Sequence, residues 1–509
     1  MIDGETLLTA FQHHAAATPG KRFVVFEGRT WTYAESLARS EAFARGLSAW
    51  GLHPGERVAL YLETSPDFLF CCFGAQLAGA AVVLVNNQYK QTELRHILSD
   101  SGARLCVTGG EQVAELARLR AELPALARAL TLGPELDAFI ADAPNVLNLP
   151  KPASSDIAYI AYTSGTTGRS KGALLTHRNT LSNARSVTEA WQWTADDHLL
   201  HMLPLFHTHG LMVGIHGTLL RGASCELHRH FSARIALDRL RSGGFSLFFG
   251  VPTMYTRFIA EALSCAAMPL PLRLCVSGSA PLSPATFAEF ERLFGQRIVE
   301  RYGMTETIMN LTNPVDGERR PGTVGGPFPC QEARIVDLKT RRPLGPDEIG
   351  EIEVRGPHVF AGYLNQPAAT AECFDGEGWF RTGDLGQVSP DGYFTITGRA
   401  RELIISGGYN IYPREVEDVV AEVDGVHEVA VVGVDDADWG QRVVALVTLE
   451  PGTDPTTIPD RVIEHTRARL ASYKKPKEVR VVDAFPLNST GKIAKKDLKA
   501  TLNAEAARS

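Results

Sequence analysis

The chain has 509 residues, an apolar fraction of 44%, a charged fraction of 21% and a formal charge of -7. That length exceeds what one hydrophobic core supports, so at least two domains are expected, and the composition excludes a disordered or fibrous chain. The acidic balance and the lack of long Lys/Arg runs exclude nucleic acid as a partner and leave room only for small basic clusters in a cleft.

Eight scattered cysteines without zinc spacing, and the acidic start Met1-Ile2-Asp3-Gly4-Glu5, predict a cytoplasmic protein with no targeting segment. Arg57–Leu62 reads as a strand. Phe68–Val85 is apolar enough to raise a membrane span, but Gly74, Gln76, Gly79 and the run Ala81–Val85 favour a buried helix and a buried strand instead. Helix and strand alternate again through Leu94–Val107 and Ile235–Val251, which predicts layered α/β architecture with largely parallel sheets. Short alternating strands at Glu348–Arg355 and Gly392–Thr397 predict a smaller β unit. Beyond Gly398 the texture changes: helix 414–423, strands 426–434 and 443–449, helix 459–470 and strand 479–482 make a compact α+β lobe. The expected division is 1–398, a large N-terminal domain, and 399–509, a small mobile C-terminal domain.

Tyr162-Thr-Ser-Gly-Thr-Thr-Gly-Arg-Ser-Lys-Gly172 follows the apolar strand Ile157–Tyr162 and precedes a helix expected near Thr176–Asn179. Its glycines allow tight turns with outward amides, its hydroxyls add donors, and Lys171 adds a compact charge. This surface suits a polyphosphate. It is not a Walker A loop, because Gly-Lys-Ser/Thr is absent at the required spacing.

The segment resembles the signature of the adenylate-forming superfamily, which includes acyl-CoA synthetases, luciferases and peptide-synthetase adenylation domains. The resemblance covers essentially the whole chain, since further motifs follow in the family's order. They are Leu203-Pro-Leu-Phe-His-Thr-His-Gly210, Ser277-Gly-Ser-Ala-Pro-Leu282, Glu300-Arg-Tyr-Gly-Met-Thr-Glu-Thr307, Thr382-Gly-Asp384, Gly398-Arg399 and Pro486-Leu-Asn-Ser-Thr-Gly-Lys492. Ser170 departs from the family's usual Pro.

The resemblance implies ATP, Mg²⁺ and CoA as cofactors and co-substrates. Thr163, Ser164, Gly165, Thr166, Thr167 and Gly168 would cradle the β/γ phosphates with Lys171 nearby; Thr305 would contact the α-phosphate and Glu306 would hold Mg²⁺. Tyr302 and Gly303 would face adenine, opposite Gly278, Ser279, Ala280 and Pro281, with Asp384 and Arg399 on the ribose. Lys492 would bridge carboxylate and α-phosphate. A hinge near Arg401 would then withdraw it and bring Gly407 and Gly408 to the pantetheine arm. Lys474, Lys475 and Lys477 fit CoA phosphates or a solvated face equally.

His207-Thr-His209, Met254-Tyr-Thr-Arg257 and Glu300-Arg301 through Met309-Asn310 look like malonyl-CoA synthetases. In those enzymes the arginines matching Arg257 and Arg301 hold the distal carboxylate of malonate, and His207, Thr208 and Met309 shape a short pocket. A second carboxylate would settle guanidinium groups buried there; spacing alone equally allows Arg257 to pair with Glu261. Methylmalonate would differ by one methyl. The alternatives are a ligase for another short acid, or an adenylation enzyme loading a separate carrier protein. A monomer or homo-oligomer without membrane contact is expected.

Overall fold

The computed structural model describes residues 5–146, 148–163, 170–264, 269–406, 409–436, 438–487 and 493–506. The chain packs as two units, 1–333 with 354–380 and 334–353 with 381–509.

Two sheets organise the first unit. One has nine strands, of which Arg22–Phe26, Ser224–Leu227, His198–His201, Leu247–Gly250, Leu274–Ser277 and Ile298–Tyr302 run parallel in that spatial order. Most of their residues are buried, as in a parallel sheet covered on both faces, and among the polar ones His198, His201, Glu226, Glu300 and Arg301 are buried too. The second sheet has seven strands, in which Ile157–Thr163, Ala81–Leu84, Arg57–Tyr61, Leu105–Thr108 and Arg128–Thr131 are parallel.

The apolar stretch from Phe68 is a helix, Pro66–Leu77, followed by the fully buried strand Ala81–Leu84. Ser65 caps it by accepting from the Phe68 amide at 3.3 Å, and Pro66 sits where a missing N–H costs nothing. Twelve residues fall well short of the ~20 a bilayer crossing needs. No helix among the described residues is long and apolar enough to cross a membrane.

The segment expected to receive phosphates differs in one respect from the expected strand–loop–helix. Lys171–Thr176 is a strand that folds back antiparallel on Ile157–Thr163, with Thr163 opposite Lys171. Only then does helix His177–Ala190 begin, closed by a reciprocal Thr176–Asn179 cap.

The second unit holds a four-stranded sheet (Glu332–Val336, Gly350–Arg355, Phe380–Val388, Phe394–Arg399) and the C-terminal lobe. In the lobe, strands Val426–Asp436, Gly440–Leu449 and Glu478–Val481 form a mixed sheet. Valine-rich alternation sorts its two faces. Val431, Val443, Ala445 and Val447 pack with helices Pro413–Val420 and Ile458–Arg469; Ala430, Val432, Val444 and Leu446 pack with Phe485 and Leu502.

Candidate active site

The parallel strands of the nine-stranded sheet end at one level: Gly250 pairs with Ser277, and Ser277 with Glu300. Crevices at carboxyl ends of such strands are where α/β folds take ligands. Beyond Ser277 the chain turns through Gly278 and Ser279, the latter at φ +72°, a left-handed conformation unusual for serine. Glu300 fixes this turn by accepting the Leu282 amide at 3.1 Å.

The neighbouring residue on the strand, Arg301, points the other way and is 3% exposed. Its guanidinium lies directly over Gly278, where a methyl group would stand 2.4 Å from Nε, so any side chain at 278 would push the guanidinium from its seat. Nη2 donates to Ser279 Oγ at 3.3 Å, and Nε has no hydrogen-bond partner among the described residues. No carboxylate of the described residues pairs with it. Burial pushes its pKa down to about 9, with only the buried Tyr255 opposing, so the group stays charged at neutral pH. His209 completes the cluster. Its Nδ1 is 3.4 Å from Ser279 Oγ, its Nε2 has no partner among the described residues, and burial plus the Arg301 charge hold it neutral, well below the usual histidine range. A cation, a hydroxyl and a neutral imidazole thus converge with unused donor capacity, a setting that favours an anionic group.

A second cluster follows the strand. Gly303 is pressed against the Ile308 carbonyl, 2.0 Å from where a Cβ would sit, and Ile308 takes φ +61°, a costly conformation for a β-branched residue. This tight turn presents Thr305 half-buried and Glu306 buried. The Tyr363 hydroxyl donates to Glu306 Oε1 at 2.8 Å, and Lys171 Nζ stands 5.0 Å over the Tyr363 ring. Burial and the Glu306 charge raise the Tyr363 pKa, so the hydroxyl stays a donor.

In the second unit Asp384 is buried and Arg399 Nε lies 2.7 Å from its Oδ1, because the two are cross-strand partners in antiparallel register. Thr382 Oγ1 accepts the Asp384 amide at 3.0 Å. Arg401 is exposed on the short 3₁₀ turn Ala400–Glu402 after that strand. Lys474 is engaged with Glu415 at 2.5 Å, and the Lys477 ammonium stands 4.3 Å over Trp439.

The remaining expected residues are distributed unevenly. Thr163 and Lys171 face each other at the ends of the hairpin, and Tyr302 is half-buried. Met309 is buried, with its carbonyl accepting from Asn183. His207 and Thr208 are half-buried, with the His207 ring packed on Phe206; it is His209 that reaches Ser279. Arg257 departs from the expectation of two buried arginines, for it is exposed. On helix Pro252–Ser264 the core stripe is Met254, Tyr255, Phe258 and Ala262, and residue 257 falls off it. Ser164, Gly165, Thr166, Thr167, Gly168, Gly407, Gly408 and Lys492 lie outside the described residues. Two residues went unassigned by sequence reasoning: Tyr363, which has no motif chemistry of its own, and His209, which stood in a quoted motif before Gly210.

Residues 11–364 match the AMP-binding enzyme family, and residues 415–492 match the AMP-binding enzyme C-terminal domain. The chain is 32% identical to a malonate–CoA ligase of Arabidopsis thaliana, over 89% of this chain and 79% of that one. It is 36% identical to a feruloyl-CoA synthase of an Amycolatopsis species, over 95% and 96%. Among solved structures, ATP-bound MatB from Rhodopseudomonas palustris superposes with a TM-score of 0.90 at 36% identity, over 98% of this chain and 99% of that one. The chain belongs to the AMP-binding enzyme family, and within it to the AMP-forming acyl-CoA ligases.

Proposed function

We propose that this ligase acts on malonate, joining it to CoA with release of AMP and pyrophosphate. The observation that carries the reading is Arg301, a buried guanidinium with no carboxylate of the described residues against it, held over Gly278 beside Ser279 and His209. Such a charge is costly unless the bound acid brings a second negative end, and a short dicarboxylate does so by bidentate pairing. Similarity to malonate–CoA ligases supports the same choice. Arg257 would assist only from a solvent-exposed position.

In the first step a carboxylate oxygen of the acid attacks the α-phosphorus of ATP, and pyrophosphate leaves. In the second the CoA thiolate attacks the acyl carbonyl, and AMP leaves. Thr305 would donate to the α-phosphate, and Lys171 would neutralise the outer phosphates with Thr163 and the loop residues 164–168. Tyr302 and Gly303 would line adenine opposite Gly278–Pro281, and Asp384 and Arg399 would hold the ribose. Glu306 fits magnesium: it is a hard oxygen donor fixed by Tyr363, and a cation that also takes phosphate oxygens needs only one or two carboxylates. Magnesium there would neutralise phosphate charge. Lys492 would bridge the attacking carboxylate and the α-phosphate. The division into 1–398 and 399–509, with a hinge at Arg401 and Gly407 and Gly408 admitting pantetheine, belongs to the same proposal.

Pyrophosphate release with malonate, methylmalonate, acetate, propionate and octanoate, each with and without CoA, tests it. Malonate should give the highest turnover, and thioester should form only with CoA. A clear preference for acetate or octanoate would refute the diacid.

A further inference from the structure

Helix Gln91–Ser101 carries two side chains one turn apart, His96 and Asp100, that share a face. His96 Nε2 lies 2.7 Å from the Ser170 carbonyl. A carbonyl only accepts, so this ring nitrogen carries the proton. The His96 ring also stands edge-on to Tyr162, with centroids 6.0 Å apart. Asp100 Oδ2 accepts the Tyr162 hydroxyl at 2.7 Å, and the Asp100 carbonyl accepts from Asn365 Nδ2 at 3.0 Å. Burial and the Asp100 carboxylate raise the Tyr162 pKa, which keeps that hydroxyl a donor.

These contacts reach three separate segments. Tyr162 is the penultimate residue of the strand entering the phosphate hairpin and pairs with Gly172 across it. Ser170 immediately precedes Lys171, which opens the returning strand. Asn365 follows the strand Gly362–Tyr363, whose Tyr363 ring lies beneath the Lys171 ammonium. A single helix face therefore fixes both ends of the hairpin and the platform under its lysine. Ser170 lies one residue beyond the last pair of the hairpin register, Thr163 with Lys171, and its carbonyl is held by His96.

We propose that His96 and Asp100 are positioning residues that hold Lys171 where the β and γ phosphates of ATP are received. This rests on the reading that Thr163–Lys171 binds those phosphates. Neither residue would touch the nucleotide, and both act through the backbone and the tyrosine they hold.

Calorimetric titration of the full-length protein with MgATP and, separately, with AMP tests the idea, because AMP lacks the two outer phosphates. His96→Ala should weaken ATP binding about fivefold and leave AMP binding within about twofold, the size of one lost hydrogen bond. His96→Gln, whose amide can reach the same carbonyl, should restore most of the difference. Asp100→Ala should act in the same direction. If the ATP-to-AMP affinity ratio is unchanged in His96→Ala, or if the Gln variant is no better than Ala, the positioning role is refuted. Lys171→Ala serves as the reference. A ratio that also fails to move there overturns the phosphate reading itself, whereas movement in Lys171→Ala alone overturns only the part given to His96 and Asp100.

Discussion

Replacing Arg301 with methionine should make the protein more stable and less able to use malonate. The guanidinium is 3% exposed and has no carboxylate of the described residues against it. The fall in its pKa from 12.5 to about 9 corresponds to about 5 kcal/mol of hydration that neighbouring groups do not return. Methionine is unbranched, similar in length and able to lie over Gly278 without a charge. After relaxation and imperfect packing, a net gain of about 1–4 kcal/mol is expected, as for other buried charges replaced by apolar residues. Against that, a bound second carboxylate would lose the buried cation that Arg301 provides. That loss is worth about 2–5 kcal/mol, or about 30-fold to 4000-fold in kcat/KM for malonate. Propionate lacks that carboxylate and should hold or gain. The assays are differential scanning fluorimetry without ligand and pyrophosphate release with each acid, alongside the KM for ATP. A lower melting temperature, or equal losses for malonate and propionate, would refute the reasoning.

Two further outcomes follow from the same geometry. Tyr363→Phe removes the donor to Glu306 Oε1, at about 1–3 kcal/mol, so adenylation should need about tenfold more magnesium; thioester formation from supplied acyl-adenylate should be unaffected. An unchanged magnesium dependence would count against Glu306 as the metal carboxylate. Acid should also destabilise the fold. Burial lowers the pKa of His177, His198 and His201 to about 4 and that of His216 and His358 to about 3, against 6.5 when unfolded. The unfolded chain therefore binds more protons, and stability falls as pH drops from about 6.5 toward 4. By pH 5.5 each group removes about 1.4 kcal/mol. A melting temperature that is flat between pH 7.5 and 5.5 would refute this.

Local signals were legible where chemistry and neighbours in sequence coincide. Gly74, Gln76 and Gly79 mark the buried helix before Ala81–Leu84, and the apolar runs 426–434 and 443–449 mark strands of the lobe's sheet. What was hidden depends on partners remote along the chain. The Asp384–Arg399 pair arises from register across a hairpin, and Val24 pairs with Cys225. Tyr363 gains its meaning only by reaching Glu306, 57 residues away. Arg257 is a different case: its off-stripe position beside Met254, Tyr255 and Phe258 was present in the periodicity, and motif likeness outweighed it.

Under the malonate proposal, the seat of Arg301 over Gly278 also gives the acid site a preferred direction of evolutionary change. Exchanging the arginine for an apolar residue vents a charge and opens room in a single step, so drift toward bulkier, uncharged acids is downhill in folding energy. The return journey is steeper, for once position 278 has acquired any side chain, a newly introduced arginine finds its berth taken.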